Sequence, residues 1–314
     1  MMLKILLGVV FTVLGAEAIL RGSQAVRRHF NLPAFIAGLL LVGFGTSLPE
    51  TAISIGATLM RFEELALGLL LGSAVVNLAL ILGICAVIKP LSPDRTLLSR
   101  DATATLGASI YLFASAIAQP IGWLWPVFGL LLFALYVSIT LRREAALGEG
   151  GVMAQKAGYA RTGPAKLAFG AGLMLIGLAA IVFGSAKLIE GSVGYAADMG
   201  ISSTVIGLLV VALITSIPEA VIAFHSTYRG RGDVAVGSLL GSNIFNLLVV
   251  MPICMLLMPA GESLFASNWA PHALIASLIT FIACAMILTD RRVSRLEGAA
   301  LLIIYGGTVL AVLN

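Results

Sequence analysis

The chain has 314 residues, of which 60% are apolar and 11% charged, with a formal net charge of +4. Soluble domains carry about 45–50% apolar and about 25% charged residues, so a soluble globular protein and a disordered chain are both excluded. The small, scattered positive charge leaves no nucleic-acid footprint, and a helical integral membrane protein remains.

A helix needs about 20 apolar residues to cross a bilayer core. Ten spans are predicted in chain order, near 3–20, 33–60, 64–88, 101–119, 122–141, 167–188, 201–227, 233–258, 270–289 and 296–313. The first, with Lys4 ahead of an apolar run and Ala16-Glu17-Ala18 behind it, has the outline of a signal peptide. An internal copy of the same segment argues instead for a mature helix. Spans two, three, seven and eight exceed one straight crossing and contain Gly or Pro. All four are therefore expected to be broken, which a membrane tolerates where the freed backbone lines a cavity. Cys85, Cys254 and Cys284 all fall in apolar runs and read as small packing residues.

Basic residues set the orientation. Sixteen of the nineteen Lys and Arg fall in alternate gaps between spans; only Lys4, Arg61 and Lys187 fall on the other side. Both termini are therefore expected outside the cell (inner) membrane. Residues 142–166, rich in Gly, Lys and Arg, read as a flexible cytoplasmic linker. It separates a first five-helix unit, 1–141, from a second, 167–314.

The two units are copies. At a constant offset of 169, Gly15 falls on Gly184 and Gly38 on Gly207. Thr46, Ser47, Pro49 and Glu50 fall on Thr215, Ser216, Pro218 and Glu219. Gly72, Ser73 and Asn77 fall on Gly241, Ser242 and Asn246, and Cys85 falls on Cys254. Five spans per copy is an odd number, so the second copy enters from the opposite side. The expected fold is all-α, with ten transmembrane helices in two inverted five-helix repeats. Secondary transporters share that plan, with the site near the midplane.

Glu50 is the one charged residue between 34 and 60, and Glu219 has only His225 for ionisable company between 201 and 228. A charge at the bilayer centre costs at least about 2.5–3.5 kcal/mol, so a symmetric pair is hard to explain by packing. Thr46 and Glu50 share a helix face, as do Thr215 and Glu219. Pro49 and Pro218 lack an N–H and free the carbonyls of Gly45 and Ile214. Carboxylate, hydroxyl and carbonyl are hard oxygen ligands suited to Ca²⁺, and also to Na⁺. Ser73 with Asn77, and Ser242 with Asn246, add matched polar groups; their glycine neighbours also let helices approach closely. Asn243 faces Ala74 in the other copy. Two glutamates are neutralised by one Ca²⁺, two Na⁺ or two protons, and an empty charged site resists rearrangement. That favours exchange over leak.

The stretch Gly45-Thr46-Ser47-Leu48-Pro49-Glu50 and its partner Thr215-Ser216-Ile217-Pro218-Glu219 are each followed by a Gly-Ser and an Asn motif. Together, within 43–77 and 212–246, they resemble the two alpha repeats of prokaryotic sodium/calcium exchangers, in the cation/calcium antiporter superfamily. The resemblance implies alternating access by sliding of spans one and six past a core of broken helices. It implies ion ligands at Thr46, Ser47, Glu50, Ser73 and Asn77, and at Thr215, Ser216, Glu219 and Ser242. The backbone carbonyls of Gly43 and Ala212 would complete the set. Three features depart from the family pattern: Asn246 where an Asp is common, Gly68-Leu69 and Gly237-Ser238 for a Gly-Asn pair, and Ile214 for the first Gly of the second motif.

The leading expectation is a non-enzymatic antiporter exchanging Ca²⁺ for Na⁺, with no cofactor. The alternatives are exchange of Ca²⁺ or another cation for protons, a passive channel, and an intramembrane lipid-pyrophosphate phosphatase. Phosphate chemistry wants Arg or Lys at the site, and none lies deep in the spans.

Overall fold

The protein is described from a computed structural model that covers residues 1–30, 47–91, 95–117, 122–146, 163–258, 270–289 and 292–313. Every element in these residues is a helix. In chain order they are α1 (Met2–Phe30), α2 (Leu48–Leu59), α3 (Glu63–Ile88), α4 (Arg95–Ile117), α5 (Leu124–Ala146) and α6 (Pro164–Met199). Then follow α7 (Ser203–Thr215), α8 (Ile217–Tyr228), α9 (Gly232–Leu257), α10 (Ala270–Thr289) and α11 (Arg295–Leu313). Seven of these are long and apolar enough to cross a membrane, and the bent pair α7–α8 makes an eighth. The chain is therefore an all-α, multi-pass membrane protein.

Two expectations about helix ends change. α1 has 29 residues and α6 has 36, or about 43 and 54 Å at 1.5 Å per residue, against a core of about 30 Å. Charges that read as span ends lie inside these helices: Arg21 pairs with Glu17 at 2.6 Å, and Lys187 with Glu190 at 3.1 Å. α6 runs on to Gly200, whose φ of +65° is the left-handed stop that glycine adopts without strain. The expected linker is also shorter at both ends, since α5 reaches Ala146 and α6 begins at Pro164. Its middle lies outside the described residues.

α1 and α6 form an antiparallel pair with backbones in near contact. A Cβ built on Gly15 would lie 2.6 Å from the Gly177 carbonyl, and one built on Gly177 equally close to that of Gly15. Gly22 meets Gly170 in the same way, and Gly184 approaches the Gly8 carbonyl. Small residues at such a seam replace the hydrophobic drive that lipid removes. α4 and α10 pair through a reciprocal exchange: Ser109 Oγ donates to the Ser277 carbonyl at 3.0 Å, and Ser277 Oγ to that of Ser109 at 3.3 Å.

α3 and α9 sit at the centre, and Leu65 through Ala79 is buried without interruption. The predicted breaks in spans three and eight are not there. Each is one continuous helix with a wider, π-helical turn, at Val76–Ile81 and Asn246–Val250. The α3 glycines serve close approach instead: Gly68 and Gly72 abut the α7 backbone, and Gly83 meets Gly298 of α11, while Gly237 and Gly241 of α9 face open space.

Candidate functional site

Two helix starts build the site. Ser47, with φ −85° and ψ 9°, leads into Pro49 and α2; Ser216, with φ −78° and ψ 6°, leads into Pro218 and α8. Proline's fixed φ suits a first helical turn and its missing N–H ends the preceding ladder. The chain turns 47° between α7 and α8. A break in span seven is thus present at Ser216. The corresponding first half of span two lies outside the described residues, and with it Gly43 and Thr46.

Both proline turns place a glutamate in the first turn of a helix, where the backbone dipole favours an anion. Glu50 and Glu219 are each fully buried, and each lies within reach of the other's charge. Neither Glu50 oxygen has a hydrogen-bond partner. Thr215 stands beside Glu50, with its hydroxyl turned back onto the Ala212 carbonyl at 3.2 Å. That same carbonyl accepts the Ser216 N–H at 3.0 Å.

A polar chain joins the two units. Ser47 Oγ lies 2.8 Å from Ser242 Oγ, and Ser242 Oγ donates to Glu219 Oε1 at 3.2 Å. Across the centre, Asn77 Nδ2 donates to Asn243 Oδ1 at 3.0 Å, and Asn243 Nδ2 to the Ala74 carbonyl at 3.4 Å. Asn246 Nδ2 and Asn77 Nδ2 both approach Ser73 Oγ, at 3.3 and 3.5 Å. All these side chains are at most 1% exposed.

The pattern of donors has a chemical consequence. The amide N–H groups are consumed within the protein, while Asn77 Oδ1, Asn246 Oδ1 and Ser216 Oγ have no hydrogen-bond partner. Buried polar atoms are nearly always satisfied. Unsatisfied buried oxygens of this kind, together with two buried carboxylates, have the composition of a hard-cation cage.

Ten of the twelve residues singled out in sequence lie in described segments, and all ten gather around this centre. Asn243 was not among them. Its counterpart is Ala74, so the repeat that exposed the rest carried no signal for it; its place one residue after Ser242, facing α3, did.

A family model described as sodium/calcium exchanger protein matches residues 2–142 and 169–314. The sodium/calcium exchanger MaX1 of Methanosarcina acetivorans is 28% identical, over 96% of this chain and 95% of its own length. The inner membrane protein YrbG of Escherichia coli (strain K12) is also 28% identical, over 89% of this chain and 87% of its own. Among solved structures, the sodium-calcium exchanger NCX_Mj soaked with Na⁺ and Sr²⁺ superposes with a TM-score of 0.66 at 26% identity, over 98% of this chain and 96% of that one. The chain belongs to the sodium/calcium exchanger family and is a membrane cation antiporter.

Proposed function

We propose that the protein exchanges Ca²⁺ for Na⁺ across the cell membrane by alternating access. The observation that carries this reading is the meeting of Glu50 and Glu219, one from each sequence copy, fully buried and bridged through Ser47 and Ser242. The ion cage is formed by Glu50, Glu219, Ser47, Ser73, Asn77, Ser216, Thr215, Ser242 and Asn246, with Thr46 and the Gly43 carbonyl as their counterparts in the first copy. The Ala212 carbonyl joins this set once Thr215 turns its hydroxyl toward the ion.

The chain has ten spans in two inverted five-helix repeats, with both termini outside and 142–166 in the cytoplasm. The antiparallel α1–α6 seam and the reciprocal α4–α10 hydrogen bonds agree with such a two-fold plan. An empty cage would leave two carboxylates facing each other without water, which opposes the change of access until ions load. The α1–α6 pair supplies the moving part, since its backbone-close seam lets both helices travel together.

The test is ⁴⁵Ca²⁺ uptake into proteoliposomes under an imposed Na⁺ or pH gradient. Uptake driven by Na⁺ supports the proposal. Uptake driven only by a pH gradient transfers the coupling to protons, and gradient-independent conductance makes the protein a channel.

A further inference from the structure

Serine and threonine hydroxyls inside helices ordinarily donate to the carbonyl one turn back. In this protein Thr51, Thr58, Thr105, Ser115, Thr140 and Thr280 all do so, at 2.6 to 2.9 Å. Ser54 does not. It is 0% exposed, and its Oγ has no hydrogen-bond partner at all.

The buried hydroxyls of Thr12, Ser192, Ser216 and Thr227 also lack a partner, and what sets Ser54 apart is its position. Ser54 lies four residues after Glu50 on α2, so the two share a helix face with Cβ atoms about 5–6 Å apart. Both Glu50 oxygens are likewise without hydrogen-bond partners. Three unsatisfied oxygens therefore line one buried stripe, on the side of the cage toward Arg61. An ion between the Glu50 carboxylate and the Ser54 hydroxyl would satisfy all three. The other copy offers no such step, because the residue equivalent to Ser54 is Ala223, which is also 0% exposed.

Resting on the exchange reading above, we infer that Ser54 is an additional ion ligand, one turn beyond Glu50, present on only one side of the cage. The transported cation meets this hydroxyl on the Arg61 side and meets a methyl group on the other. The two access routes therefore differ in ion affinity although the carboxylates are matched.

The experiment uses the full-length purified protein and three variants, Ser54→Ala, Ser54→Cys and Glu50→Gln. Thermal unfolding is followed without ions and with Ca²⁺, and half-saturating Ca²⁺ is measured in proteoliposomes. Ser54→Ala removes a hydroxyl that bonds nothing, so ion-free unfolding should stay at or above the wild-type temperature. The Ca²⁺-induced rise should shrink, and half-saturating Ca²⁺ should increase about fivefold. Ser54→Cys exchanges a hard oxygen for a soft sulfur at nearly constant volume. It should weaken Ca²⁺ similarly and make exchange about tenfold more sensitive to Cd²⁺.

Wild-type Ca²⁺ half-saturation and wild-type Cd²⁺ sensitivity in both Ser54 variants would overturn the inference. So would a drop in ion-free unfolding temperature with an unchanged Ca²⁺ response, which marks a packing role. In either case wild-type protein still responds to Ca²⁺ and Glu50→Gln does not. If the wild-type protein itself shows no Ca²⁺ response, the exchange reading fails and this inference falls with it.

Discussion

The α3–α9 centre and the α1–α6 pair are both built on glycine and apolar residues, yet they are held in opposite ways. The centre is pinned by directional bonds among Asn77, Asn243, Asn246 and Ser73, and from Ser242 to Glu219, all fully enclosed. The α1–α6 seam is smooth: glycine backbones touch at 8, 15, 22, 170, 177 and 184, and the ion pairs lie at its exposed ends. Directional bonds fix a cage to a fraction of an ångström. Backbone contact at this closeness couples α1 to α6 as one body without such bonds. One protein thus carries a hydrogen-bonded polar centre and a backbone-packed helix pair side by side.

The contrast is broken most severely by removing charge from the rigid half. Glu50→Gln or Glu219→Gln should lower exchange on the order of 100-fold or more, because each leaves the other carboxylate buried without its share of the cation; ⁴⁵Ca²⁺ flux reads this directly. Next comes roughening the smooth half. Gly15→Leu or Gly177→Leu forces two backbones apart, and exchange should fall roughly tenfold while Ca²⁺ still raises the unfolding temperature. Retained binding with lost flux separates the moving element from the cage.

Loosening the pins should have a moderate effect. Asn243→Ala strips Asn77 of its acceptor and the Ala74 carbonyl of its donor, destabilising the protein by about 1–3 kcal/mol. Half-saturating Ca²⁺ should rise several-fold as Asn77 loses its fixed orientation; denaturation and flux measured together test both. The smallest effect belongs to the seam's exposed end. Lys4 and Lys187 both reach Glu190 Oε2 at 3.1 Å in water-accessible positions. Glu190→Gln should change flux less than about twofold. A large loss would mean that this end acts as a latch.

The buried Glu50–Glu219 pair was legible in the sequence because a duplication wrote it twice. Glu50 alone is one odd acid in an apolar run; Glu50 and Glu219 at a constant offset are a design. Legibility failed where the cause is not periodic in residue type. Gly68, Gly72 and Gly83 look like helix breakers, but in lipid they serve contact with α7 and α11. The wide turns after Val75 and Phe245 come from backbone hydrogen bonds that skip one residue, and no side chain announces them. The ends of α1 and α6 were misplaced for another reason. Hydropathy marks where a helix leaves the hydrocarbon, while helical hydrogen bonding continues into water as long as charges such as Glu17 and Arg21 neutralise each other.

Those wide turns occupy matching places, 76–81 in one copy and 246–250 in the other. A π-helical turn holds one residue more than the α-helical ladder needs. Each residue of an α-helix advances the face by about 100°. Deleting a single residue there, Leu80 for instance, would remove the surplus and close the turn to a regular α-helix, with little rotation of what lies beyond. Gly83 would then stay against Gly298, and α11 would keep its foothold. Each central helix therefore stores a spare residue at the same depth, taken up by local widening of one turn while the helix beyond keeps its angular register.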